Sequence, residues 1–105
     1  MSERKDEQGD VLIDGESKSR LEKPPRYKVL ILNDDYTTME FVVYILTNVF
    51  RHSQASATRI MLHIHKQGVG VAGIYSKEIA ETRVAQVFEL SREYGHPLQC
   101  TMEPE

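Results

Sequence analysis

The chain has 105 residues, 40% hydrophobic and 28% charged, with a formal net charge of −3. That length holds one hydrophobic core and leaves no room for a second, and the acidic balance argues against a nucleic-acid surface, which ordinarily carries a basic stripe. Cys100 is the one cysteine, so an internal disulfide is excluded, as suits a reducing compartment.

The opening Met1-Ser2-Glu3-Arg4-Lys5-Asp6 lacks the apolar centre of a signal peptide, and no apolar run approaches membrane-spanning length. A soluble, cytoplasmic protein that engages neither membrane nor nucleic acid is expected. Residues 1–24 read as a flexible tail. Charges of both signs, glycines and serines surround a single short apolar run, Val11-Leu12-Ile13, too little to offset the entropy of ordering the segment. Pro24-Pro25 bars helix and opens a core domain over 25–105.

Within that core, Tyr27-Lys28-Val29-Leu30-Ile31-Leu32 is an apolar, partly β-branched run that predicts a strand, ended by the turn-forming Asn33-Asp34-Asp35. Thr37-Thr38-Met39-Glu40 has the T-x-x-E form of a capping box, and Met39, Val42, Val43, Leu46, Val49 and Phe50 recur at helical spacing behind it. His52-Ser53-Gln54 interrupts, and a second helix from about Ala55 to Lys66 carries Ala57, Ile60, Met61 and Ile64 as its stripe, with Gly68 as its stop. Val69, Val71 and Tyr75 alternate with small residues as a second strand. Ser76 caps a third helix with Ala80, Val84, Val87 and Phe88 as its stripe, stopped by Gly95-His96-Pro97, and Leu98, Cys100 and Met102 alternate as a last strand. The order β-α-α-β-α-β predicts an α+β fold, a small, largely antiparallel three-stranded sheet with three helices packed against it.

Several motifs lose their chemistry in this context. Gly68-Val69-Gly70-Val71-Ala72-Gly73 matches G-x-G-x-x-G, but a helix precedes it and a strand follows, the reverse of a dinucleotide site. His63 and His65, two apart on a helix, point to opposite sides and cannot converge on a metal. His63 is expected to face solvent. No cofactor or metal is implied. Cys100 alternates with apolar neighbours as a small buried hydrophobe, and no serine or cysteine sits in an activated-nucleophile motif. An enzyme using His65 and Asp34 as acid and base is therefore the weaker alternative, as is a small interaction module for another partner such as the ribosome.

The unusual feature is Asn33-Asp34-Asp35 between a strand and a capped helix that presents Met39 and Val42 within two turns. Adjacent like charges repel and would welcome a cation, and an apolar patch beside them suits a ligand cationic at one end and greasy at the other. A protein N-terminus with a large apolar first side chain is such a ligand.

Pro24-Pro25, Tyr27-Lys28-Val29, and Asn33-Asp34-Asp35-Tyr36-Thr37-x-Met39-Glu40-Phe41-Val42 closely resemble the signature of the ClpS adaptors. Met61-Leu62-x-Ile64-His65-x-Gln67-Gly68, Glu78-Ile79-Ala80-Glu81-Thr82 and His96-Pro97-Leu98-x-Cys100-Thr101 follow in order, so the resemblance covers residues 24–103. It implies a monomeric adaptor, not an enzyme, that binds N-degrons beginning with Phe, Leu, Tyr or Trp and docks on the N-terminal domain of the ClpA unfoldase of the ClpAP protease. It further implies that Asn33, Asp34 and His65 hold the free α-amino group and that Asp35 and Thr37 shape the pocket rim. Met39, Val42, Met61, Ile64 and Leu98 would line the side-chain pocket, Met39 as a gate against β-branched residues, and Glu78 with Arg83 would meet ClpA. Thr38 stands where the family often has proline, Arg83 where lysine is common, His63 where a small or apolar residue is usual, and Ile64 adds a methylene to a valine-like position.

Overall fold

The protein is described by a computed structural model over residues 23–105; the expected tail, apart from Lys23 and Pro24, lies outside the described residues. The elements are β1 (Arg26–Leu32), α1 (Met39–Asn48), α2 (Gln54–Gln67), β2 (Val69–Ser76), α3 (Lys77–Tyr94) and β3 (Gln99–Pro104), in the order that the periodicities predict. β1 is the central strand of a sheet ordered β2-β1-β3, and both pairings are antiparallel. Its inward Val29 and Ile31 are fully buried, as a β-branched run in a central strand allows. Between Val29 and Leu30 the register slips, so that Val29 pairs with Gly73 and Leu30 with Val71. Ala72 is the extra residue of this bulge, and its carbonyl accepts a hydrogen bond from His52 Nε2 at 2.6 Å.

Helix α1 starts one residue later than its capping pattern predicts. The N-cap is Thr38, whose Oγ1 accepts from the Phe41 N–H at 3.1 Å, so no T-x-x-E box forms between Thr37 and Glu40. The Thr37 hydroxyl instead donates to the Asp34 carboxylate, a charge-assisted bond. The buried face is correspondingly Phe41, Val42, Ile45 and Leu46, while Met39, expected within the stripe, is 46% exposed. Ser53 caps α2 and Ser76 caps α3, each accepting an N–H three residues on. Both helices end at left-handed glycines, Gly68 and Gly95, where the missing side chain removes the penalty of positive φ. Along α3 the buried residues are Ala80, Val87 and Ser91; Phe88, expected in the stripe, is exposed, because it lies a third of a turn away from Val87.

On β2 the small residues face inward: Gly70 and Ala72 are buried and Val69 and Val71 exposed. A methyl group at Gly70 would fall 2.6 Å from Ile64 Cγ1. The glycine thus lets α2 lie close on the sheet. Among the described residues no helix is long and apolar enough to cross a membrane.

Candidate functional site

The loop after β1 is built by Asp34. Its Oδ1 accepts from the backbone N–H groups of Tyr36 and Thr37 at 2.8 and 2.7 Å, and its Oδ2 from the Thr37 hydroxyl at 2.7 Å. Burial on its own would raise the Asp34 pKa, but the Thr37 hydroxyl, the Thr37 and Tyr36 N–H groups and the charge of His96 outweigh it and hold the carboxyl below its ordinary value. Asp34 is therefore ionised at neutral pH, and with about four lone-pair sites on a carboxylate it retains acceptor capacity. At the loop's start, the Asn33 N–H donates to the Gly68 carbonyl at 2.9 Å. That bond ties the loop to the C-terminal end of α2, the turn that carries His65.

The result is one cavity of about 270 Å³ lined by Asn33, Asp34, Asp35, Thr37, Met39, Val42, Met61, Ile64 and His65. Asn33, Asp35 and His65 are exposed, Asp34 and Thr37 half-buried, and Val42, Met61 and Ile64 buried. A greasy floor thus sits under a rim of acceptors. Cavities of about 150 Å³ already hold benzene, so the hole takes one aromatic or aliphatic side chain. Among the described residues, no Phe or Tyr side chain lines it.

Behind α1, the Phe41 ring stacks on His96 with centroids 4.2 Å apart and on Tyr44 at 5.9 Å, and Tyr44 meets Tyr94 edge-on. This stack fixes the helix whose next residue, Val42, faces the cavity, and His96 is a contributor that spacing alone does not reveal. A neighbouring hollow of about 500 Å³, lined by Met39, Glu40, Val43, Gln54 and Met61, shares both methionines with the first. Val43 was legible there from the α1 stripe; Glu40 and Gln54 gave no signal.

Leu98 does not line this cavity, and Glu78 and Arg83, expected at a different surface, lie on α3. Leu98, 6% exposed, is buried and lines a groove between α3 and β3. Glu78 is exposed in the first turn of α3. Arg83 is half-buried: its guanidinium lies 5.6 Å from the Tyr75 ring centroid and donates to Gln86 Oε1 at 3.3 Å. Cys100 is half-buried, and burial pushes its thiol up to about 12, which leaves almost no thiolate at neutral pH.

Residues 22–101 match the family model for the ATP-dependent Clp protease adaptor protein ClpS. The ATP-dependent Clp protease adapter protein ClpS of Caulobacter vibrioides (strain NA1000 / CB15N) is 61% identical over 88 residues, 84% of this chain and 81% of that one. That of Roseobacter denitrificans is 53% identical over 105 residues, all of this chain and 93% of the relative. Among solved structures, Agrobacterium tumefaciens ClpS2 bound to L-phenylalaninamide superposes with a TM-score of 0.76 at 43% identity, covering 79% of this chain and all of that one. The chain belongs to the ClpS family, and is an adaptor of the ATP-dependent Clp protease rather than an enzyme.

Proposed function

We propose that the protein binds polypeptides through a free N-terminal amine and a bulky hydrophobic first residue, Phe, Leu, Tyr or Trp, and delivers them in the cytoplasm to the ClpA unfoldase of the ClpAP protease. The observation that carries this is the convergence of two distant stretches, residues 33–42 and 61–65, on a single hole with acceptors at its mouth and apolar walls below. Asn33, Asp34 and His65 accept from the ammonium; Asp35 and Thr37 form the rim; Met39, Val42, Met61 and Ile64 enclose the side chain. The resemblance to the ClpS adaptors assigns Leu98 to the same pocket.

An α-amino group has a pKa near ~8 and is mostly a cation at neutral pH. Charge-assisted hydrogen bonds contribute roughly 1.5–3 kcal/mol each, and burying a Phe or Leu side chain adds roughly 1.5–3 kcal/mol. Two or three bonds with one side chain reach the ~8 kcal/mol of micromolar binding only when ordering costs are small. Asp34, held by three hydrogen bonds within its own loop, keeps them small. L-Phenylalaninamide, the ligand of the Agrobacterium relative, is the minimal form of such a substrate, a free amine beside an aromatic side chain and an amide.

Delivery assigns Glu78 and Arg83 on α3 to the contact with ClpA, and residues 1–24 to engagement of its channel. Fluorescence anisotropy with a Phe-initiated peptide, its N-acetylated twin and a Ser-initiated control tests recognition: only the first should bind. Equal binding of all three would reject it.

A further inference from the structure

The cavity of about 270 Å³ and the neighbouring hollow of about 500 Å³ have Met39 and Met61 in common. The two methionines therefore stand as a wall between them, with Met39 46% exposed and Met61 8% exposed. The second hollow has a different chemistry from the first. Its polar groups are Glu40 and Gln54, both exposed, and Val43 is its remaining apolar residue. No basic side chain lines it. Among the described residues the ion pairs are Arg26 with Glu105 and Lys28 with Glu103, so the Glu40 carboxylate has no cation paired to it.

Helix α2 sets these features in a row. His65, Met61 and Gln54 follow one another toward its N-terminus, with a rise of about 6 Å from His65 to Met61 and about 10 Å from Met61 to Gln54. The acceptors of the ammonium lie at one end, the methionine wall in the middle and the second hollow beyond. This inference rests on the reading of an N-terminal ligand. A first residue whose amine is held by Asn33, Asp34 and His65, and whose side chain fills the hole, directs its carbonyl away from those acceptors and across the wall. An extended chain advances about 3.3 Å per residue and alternates its side chains. The second side chain then points to solvent. The third, about 7 Å on from the first, faces the protein again past Met39 and Met61.

We propose that the second hollow takes the third side chain of the bound polypeptide and favours Lys or Arg there. Such a side chain has an apolar stem and a charged tip. The stem lies along Met39, Val43 and Met61, and the tip meets the Glu40 carboxylate and the Gln54 amide oxygen. The substrate class narrows accordingly, to a bulky apolar first residue followed at one remove by a basic one.

Phe-initiated, C-terminally amidated hexapeptides with one lysine at the second, third or sixth position and serine elsewhere share composition and net charge, so the overall acidity of the protein treats them alike. By anisotropy competition at low salt, lysine at the third position should bind about threefold more tightly than either isomer, the yield of one partly exposed ion pair. Glu40→Gln, at an exposed position, should bring that ratio to about one. Glu40→Lys should reverse the preference, so that glutamate at the third position binds better than lysine. Equal affinity of the three isomers, a larger gain from lysine at the second position, or a ratio unchanged in Glu40→Gln overturns the assignment while Phe-initiated peptides still bind. A Ser-initiated peptide with lysine third should not bind. If it binds as well as its Phe-initiated counterpart, N-terminal recognition itself is rejected, and the assignment with it.

Discussion

The cavity beside α1 and the groove beside α3 are both apolar hollows, but they treat their polar groups in opposite ways. At the cavity, Asp34 is satisfied three times over within its own loop before any ligand arrives, and the loop is pinned to α2 through Asn33 and Gly68. At the groove, among the described residues, Ser91 is buried without a partner and the outer edge of β3 has no strand beside it. A site that holds its own acceptors in place binds a small ligand at low ordering cost.

The largest expected effect belongs to the cavity. Acetylating a Phe-initiated peptide removes the ammonium and with it two charge-assisted bonds, which at about 1.5 kcal/mol each amounts to a loss of about 100-fold or more in affinity by anisotropy. Next in size is Gly70→Ala. The new methyl must displace the Ile64 side chain, so we expect a loss of about 1–3 kcal/mol in stability by thermal or denaturant unfolding, and a weaker grip on Phe- than on Leu-initiated peptides because Ile64 moves into the hole.

Thr37→Val tests how far the loop depends on its own bonds. It removes one donor from Asp34 and should lower stability by about 0.5–1.5 kcal/mol and peptide affinity severalfold; unaltered affinity would mean that Asp34 is held by its backbone bonds alone. The pH dependence has a definite sign. Asp34 has a lowered pKa in the folded protein, so its stabilising contribution is present above the unfolded carboxylate value and is lost as pH falls through the lower folded one. Unfolding monitored across the acid range should therefore show a contribution that Asp34→Asn removes. The smallest effect belongs to Arg26→Ala, which breaks an exposed pair with Glu105 at 3.0 Å and should cost no more than about 1 kcal/mol, leaving both hollows unaffected.

What the chain determines by itself is its alternation of elements. Gly68, Ser76 and Gly95 mark helix ends because a left-handed backbone and an unpaired N–H are local needs that one residue meets. The pairing of Met61 with His65 was legible for the same reason: residues four apart share a helix surface. Tertiary structure decided the rest. Thr38 rather than Thr37 caps α1, while the Thr37 N–H and hydroxyl both donate to Asp34 in the preceding loop. Gly70 matters because α2 comes back across the strand, not because of its own φ. Ser91 became a buried hydroxyl with no partner among the described residues, which spacing along one segment does not fix. Periodicity reports which way a residue points from its own helix or strand; which other segment it then meets depends on how distant parts of the chain are packed together.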